Sequence, residues 1–443
     1  MKKNLFLIFT ILWVGNGVYS FAQKPDKKGV KEGKPVNEST NNFYLNNKAP
    51  LRPNPYLELP LGAIKPQGWL KEMLVRQKNG ATGQLDKLDP LVMNNRNGWL
   101  GGDGDKWERG PYWRQAQGLY GGDEALHGSN PTQGSELCTA VELMFSLESM
   151  LGITGQVSFA DHLEKITFNA LPTQTTDDYL ARQYFQQANQ VMLTRHIRNF
   201  NENHGGTDAC YGLLTGYPCC TSNMHQGWPK FTQNLWYATP DNGLAALVYS
   251  PSEVKAKVAG GTEVKWVEET NYPFSETIKF TLTTSKKAPV SFPFHLRIPE
   301  WCRKATISIN GKTWQEATGN QIVVVNREWK SGDLVQLQLP MHLFKTKWYE
   351  NSVAVERGPI TYALKIGEDW KTVQNEKDPI WFGKQYIEVR PTTPWNYGLL
   401  PLPDRQLAES FKIVRKEQVA AYPWTVAEAP IEIKVKAKRI PSW

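Results

Sequence analysis

The sequence is short of the features that mark the commonest protein classes. Five cysteines in 443 residues, at positions 138, 210, 219, 220 and 302, are too few for a disulfide scaffold and cannot all pair. Cys219 and Cys220 are neighbours, and a bridge between them would be far from the usual spacing of paired α-carbons. No Gly-rich phosphate loop, Gly-x-Gly-x-x-Gly fingerprint, His-x-x-x-His pair or Gly-x-Ser-x-Gly elbow occurs. Their absence removes the nucleotide, nicotinamide, zincin and serine-hydrolase classes by motif. A basic face is also missing. Much of the net charge of +8 comes from the first 34 residues, where Lys2, Lys3 and five further lysines face only Asp26 and Glu32, so +3 remains for the rest and nucleic acid is not an expected partner. No stretch beyond the N-terminal region reads as apolar enough to span a bilayer, and no stable membrane insertion is expected of the processed protein.

What is present is an ordinary globular composition, 40% hydrophobic and 21% charged, in a chain long enough for two or three domains of ~150 residues. The first 22 residues have a basic start, an apolar run from Leu5 to Val14 and then Ser20-Phe21-Ala22. That pattern predicts a signal peptide over 1–22 and a periplasmic or secreted product. Residues 23–55, rich in Lys, Pro, Gly and Asn, read as a flexible leader.

From 56 to 243 the pattern is mainly helical. Trp69, Leu70, Met73 and Leu74 recur at helical spacing between Pro66 and Gly80, and Val141, Met144, Phe145, Leu147 and Met150 do so from Ser135 to Leu151. A further helix is predicted over Ser158–Leu171. After Asn242 the period becomes two, as in Ile278/Phe280/Leu282, Phe292/Phe294/Leu296/Ile298, Ile307/Ile309, Val323/Val325 and Val335/Leu337/Leu339. Asn310-Gly311 marks a tight hairpin. These segments predict an antiparallel β-sandwich over 244–390, and Ile431/Ile433/Val435 adds a strand to a C-terminal β segment over 391–443 that stops where more strand is expected. The predicted fold class is multidomain, α then β.

Candidate chemistry gathers in three segments: Gly122-Asp123-Glu124-Ala125-Leu126, Glu136-Leu137-Cys138, and Cys219-Cys220-Thr221-Ser222-Asn223-Met224-His225-Gln226-Gly227-Trp228-Pro229. Three thiolates and one carboxylate suit the tetrahedral shell of Zn²⁺, and Glu136, Cys138, Cys219 and Cys220 supply that set. Spacing opposes it, because residues two apart on a regular helix point nearly opposite ways, so Glu136 and Cys138 converge only at an irregular helix start. Cys138 also reads as a small buried hydrophobe beside Val141 and Phe145, and Glu124 as a solvated loop acid or helix cap. His225 and Trp228 are candidates to line a sugar pocket, although a domain of this size also buries tryptophan for packing. Cys210 and Cys302 read as buried free thiols.

Those segments, with Phe168-Asn169-Ala170-Leu171-Pro172, resemble the zinc-dependent β-L-arabinofuranosidases of glycoside hydrolase family 127 and its relatives. The resemblance runs from about Leu59 to the C-terminus. It implies an (α/α)6 barrel followed by β-sandwich domains, and a retaining hydrolase of plant-type glycans. It also implies roles: Cys219 as zinc-bound nucleophile, Glu136, Cys138 and Cys220 completing the metal shell, and Glu124, less so Asp123, as general acid/base.

The pattern departs from the family at one place. Trp107-Glu108-Arg109-Gly110-Pro111-Tyr112-Trp113 is followed almost at once by Gly118-Leu119-Tyr120, where the family has a long run of barrel helices. Twelve helices of ~12 residues with ~5-residue loops need about 200 positions, slightly more than 56–243 provides. The barrel is therefore expected to be incomplete, shortened near 113–118. A carbohydrate-binding remnant without catalysis and a polysaccharide lyase are the alternatives, the lyase because helical barrels followed by β-sandwiches also serve elimination chemistry.

Overall fold

A computed structural model of the chain describes residues 41–88, 115–119, 121–122, 126–200, 202–401 and 406–442. The signal read over 1–22, the Trp107–Trp113 segment, Asp123 and Glu124 lie outside them. The described chain is mixed, with its longer helices in the first half and a β-rich remainder.

Two large sheets form the β-rich part. One has five strands in the order Leu57–Glu58, Trp236–Ala238, Leu244–Ala246, Val290–Ile298, Gln321–Trp329. The other has seven: Lys312–Ala317, Ala305–Ile309, Leu334–Gln338, Thr277–Thr284, Thr262–Thr270, Ser252–Val258, Ile64–Pro66. Alternating burial along Thr262–Thr270 and Ser252–Val258 follows the period of two that a half-buried strand requires. Asn310 and Gly311 both take positive φ, +51° and +78°, and turn Ala305–Ile309 into Lys312–Ala317, as a tight hairpin demands. Within these two sheets pairing is antiparallel except between Leu244–Ala246 and Val290–Ile298, a parallel contact that periodicity does not reveal.

One aromatic layer joins the two sheets. Trp266 stacks on Phe294 at 4.6 Å between centroids, and Phe280 meets Phe294 at 5.5 Å and Trp236 at 5.6 Å, edge to face. Such pairs add to the burial of their large apolar areas. Phe294→Ala is expected to cost about 3–5 kcal/mol, read as a lowered urea midpoint; a loss under about 1 kcal/mol would contradict this packing.

The helices fall close to their predicted spans, at Gly68–Asn79, Leu137–Thr154 and Val157–Asn169, and these are the ones longer than eight residues among the described residues. Among the described residues they do not make a closed ring of twelve. Three readings need revision. Residues 171–218 are mostly irregular, held by short bridges such as Arg182 to Gly212, because their apolar residues pack without a helical period. Order reaches back before Tyr56: the Asn41 side chain donates to the Thr239 carbonyl at 2.9 Å, and Lys257 N–H donates to the Tyr44 hydroxyl at 2.6 Å. Phe145 is 45% exposed rather than in the core. The Leu137–Thr154 helix is long and apolar enough to cross a membrane by length and composition, yet most of it is buried inside the protein.

The helix Val157–Asn169 is bound to the strand Val290–Ile298 by a buried ionic cluster. The Arg297 guanidinium pairs with Asp161 and Glu164 and donates to the Leu247 carbonyl. Glu164 also accepts from the Tyr272 hydroxyl and the Tyr249 N–H.

Candidate metal centre

Glu136 ends a two-residue strand, Ser135–Glu136, that pairs with Phe185–Gln186 on one side and Gly122 on the other. The next residue starts the Leu137–Thr154 helix, with Glu136 as its N-cap in extended backbone (φ −71°, ψ 145°). Cys138 is the second residue of that helix. The strand-to-helix switch turns the two side chains to the same side, which a continuous helix forbids. Close packing holds the corner: a Cβ on residue 134 would lie 2.3 Å from Cγ of Phe185, so only glycine fits before Ser135.

Cys219 and Cys220 open a short helix, Cys219–Asn223, after Pro218. The turn before it needs Gly216, at φ +66° with a would-be Cβ 2.1 Å from that of Tyr184. Arg182, fully buried, fastens this corner: its Nε donates to the Thr221 hydroxyl at 2.9 Å, Nη2 to the Tyr217 carbonyl at 2.8 Å, and Nη1 to the Thr215 carbonyl.

The two corners meet. Sγ of Cys138 lies 3.3 Å from Sγ of Cys219 and 3.4 Å from that of Cys220, while Oε1 of Glu136 lies 3.3 Å and 3.7 Å from those two sulfurs. All four ligand atoms fall within 4.8 Å of one another. These separations exceed a disulfide's ~2.05 Å, and all five cysteines are free thiols. Zn–S bonds of ~2.3 Å in a tetrahedron put sulfurs about 3.8 Å apart, so the cluster has the shape of that shell, tighter by a few tenths of an ångström. Glu136, Cys138 and Cys220 are buried, while Cys219 is half-buried and the member open to a reactant.

Electrostatics give a second reason to expect a cation. Burial, reinforced by hydrogen bonds with Cys219 and Cys220, pushes the Cys138 thiol well above its usual range. For Cys219 the bond with Cys138 lowers the pKa, but the bond with Cys220 and desolvation win and it rises. Burial acts on Cys220 in the same direction, yet the donors Cys138 and Cys219 and the charge of Arg182 bring it well below. Three thiols of unequal acidity therefore crowd against one carboxylate in a desolvated space, an arrangement that a divalent ion relieves by displacing thiol protons.

Two sequence matches bear on this centre. Residues 117–233 match the catalytic domain of the family described as β-L-arabinofuranosidase, GH127, and residues 243–341 match the GH127 middle domain. Both matched segments are those of glycoside hydrolase family 127. The GH127 catalytic-domain match contains all four members of the cluster. Among curated protein sequences none matches the chain. Solved structures similar to this chain include a glycoside hydrolase (20% identity, TM-score 0.46, covering 59% of this chain and 50% of that one) and a GH127 β-L-arabinofuranosidase from Geobacillus stearothermophilus T6 (22%, 0.49, 67% and 50%). A GH127 β-arabinofuranosidase is a third (19%, 0.47, 62% and 50%). The chain spans about half the length of these structures.

The remaining candidates separate. His225 is exposed in the turn after Asn223, with Nδ1 against the Ser222 carbonyl. Trp228 is 1% exposed, donates its indole N–H to the Tyr179 hydroxyl at 2.9 Å and packs edge-on against Trp69 and Phe231. It is a core residue here and presents no face to a sugar, a correction that follows from its place on the inner side of the Gly227–Gln233 helix. Cys210 and Cys302 are buried away from the cluster, their thiols pushed up by burial to about 12 and about 11. Sequence reading assigned no role to Arg182, which stands alone in its segment and carries no motif. It also passed over His204, whose Nδ1 lies 2.6 Å from buried Asp208 and whose ring packs on Tyr184 and Tyr217.

Proposed function

We propose that this GH127 chain is an exported, retaining glycoside hydrolase of the β-L-arabinofuranosidase type, acting on plant-type glycans through a Cys219 nucleophile. One observation carries the reading: three sulfurs and a carboxylate converge at zinc-ligand spacing, and of the four only Cys219 is open to a reactant. Glu136, Cys138, Cys219 and Cys220 would hold Zn²⁺, whose chemical contribution is to keep the thiols ionised at neutral pH. The finer architecture that goes with this reading is an incomplete (α/α)6-type helical part followed by a β-sandwich.

In the first step Sγ of Cys219 attacks the anomeric carbon. The C–S bond forms as the glycosidic C–O bond breaks, and an acid protonates the departing oxygen. Glu124 is the proposed acid, on sequence grounds. The same group, now a carboxylate, takes a proton from water whose oxygen displaces the sulfur, so two inversions return the starting configuration. Exposed His225 is placed among the candidates for contact with sugar hydroxyls.

A second reading is binding without turnover, favoured by the short run between Trp113 and Gly118, where the resemblance implies a series of barrel helices. Zinc content tests the common ground. The protein purified under reducing conditions is expected to hold about one zinc per chain and to lose it in the Cys219→Ala, Cys220→Ala double variant. A folded wild type that takes up no zinc overturns the metal reading. Release of sugar from an arabinofuranoside, inhibited by a strong chelator, then separates hydrolysis from binding.

A further inference from the structure

A side-chain amide from outside its four members reaches the cluster. Asn223 Nδ2 lies 3.2 Å from Sγ of Cys138. Behind it, Gln226 Nε2 donates to Asn223 Oδ1 at 3.0 Å, and the Lys230 ammonium donates to Gln226 Oε1 at 2.5 Å. Residues 223, 226 and 230 follow the three-and-four spacing that lines up side chains on one helical face. Lys230 is itself held, 3.8 Å above the ring centre of Phe145. Phe145, 45% exposed, is covered on that face by the Lys230 ammonium.

The direction of this chain is set chemically. An ammonium only donates, so Gln226 must turn its oxygen to Lys230 and its NH₂ to Asn223. Asn223 must then accept with its oxygen and turn its own NH₂ to the sulfur. The network therefore fixes two amide orientations that heavy atoms alone leave open. The partners of Cys219 given by the structure are, by contrast, Cys138, Glu136 and Cys220, all members of the cluster.

We infer that Asn223, Gln226 and Lys230 form a relay that donates a hydrogen bond to the Cys138 sulfur and so makes Cys138 the unreactive ligand, leaving Cys219 as the most nucleophilic sulfur. This rests on the metal-thiolate reading above. A hydrogen bond to a thiolate draws charge from it, weakening it as a nucleophile and orienting it as a ligand, and partners of this kind tune metal sites. Asn223, Gln226 and Lys230 act through Cys138 and are positioning residues.

Cobalt(II) loaded in place of zinc reads the sulfur directly through its thiolate-to-metal charge-transfer absorption. Asn223→Ala is expected to move that band to longer wavelength, because a sulfur without its donor gives up charge more readily. Lys230→Met, several bonds from the metal, is expected to move it the same way by less. Asn223→Asp, which puts an acceptor where the donor stood, is expected to weaken zinc binding by about 10- to 100-fold. An unshifted band and affinities within about twofold of wild type in Asn223→Ala and Lys230→Met would overturn the relay. If Asn223→Ala fails to fold, Lys230→Met decides alone. A folded wild type that binds neither cobalt nor zinc overturns the metal reading itself, an outcome distinct from a loaded site indifferent to the relay.

Discussion

Cys219→Ala is expected to reduce hydrolysis of a β-L-arabinofuranoside to background, about 10⁴-fold or more, because the proposed covalent intermediate forms on its sulfur and the other two sulfurs of the cluster are buried. Cys220→Ala would also damage the site, since it removes a buried ligand 3.4 Å from Cys138. Mass spectrometry separates the two roles. With a slowly turned-over substrate, a sugar adduct should accumulate on the peptide carrying Cys219 and on no other cysteine. Full activity in Cys219→Ala, or an adduct elsewhere, would remove Cys219 from the reaction. Activity that survives the variant and leaves an unsaturated, ultraviolet-absorbing sugar would point to a lyase instead. A wild type that binds the glycan and releases nothing would establish the binding reading.

Arg297→Met is expected to destabilise the protein about as strongly as the loss of a core aromatic ring. The guanidinium is fully buried between Asp161 and Glu164 and joins the Val157–Asn169 helix to the sheet through the Val290–Ile298 strand. Burial already raises the Asp161 carboxyl to about 7, with Arg297 opposing that rise. Without the cation two carboxylates stay in a space that cannot solvate them, at a cost of about 3–5 kcal/mol. That is a large part of the ~5–15 kcal/mol that holds a typical domain together. The urea midpoint should fall accordingly. Replacing Asp161 by Asn and Glu164 by Gln in the same chain should recover part of the loss, because the stranded charges go with the arginine. A single variant within about 1 kcal/mol of wild type, or a triple variant no better than the single one, would show that the cluster does not carry this energy.

Most long elements were legible. Apolar residues at three-and-four spacing marked the helices at Gly68–Asn79 and Leu137–Thr154 to within two residues at their starts, and alternation marked the strands Thr277–Thr284, Val290–Ile298, Ala305–Ile309, Gln321–Trp329 and Leu334–Gln338. Strands of two or three residues, such as Leu57–Glu58 and Ile64–Pro66, were not, since a period cannot show itself over so few positions. Residue type marked Glu136, Cys138, Cys219 and Cys220 as a candidate ligand set, and these four side chains converge. It misassigned Trp228, because an indole that packs a core and one that lines a pocket look the same in a chain of letters.

The sequence alone therefore determined which kinds of segment form and which groups are chemically able to hold a soft metal, since both follow from side-chain chemistry and local spacing. Whether those groups meet was decided by tertiary structure. Glu136 and Cys138 face one way only because a strand becomes a helix between them, and Cys219 and Cys220 reach them across more than eighty residues only because Arg182 and Gly216 set the second corner. The relay from Lys230 to Cys138 has the same origin. Its helical spacing is written in the chain, but the sulfur it ends on belongs to another element, and only packing brings the two together.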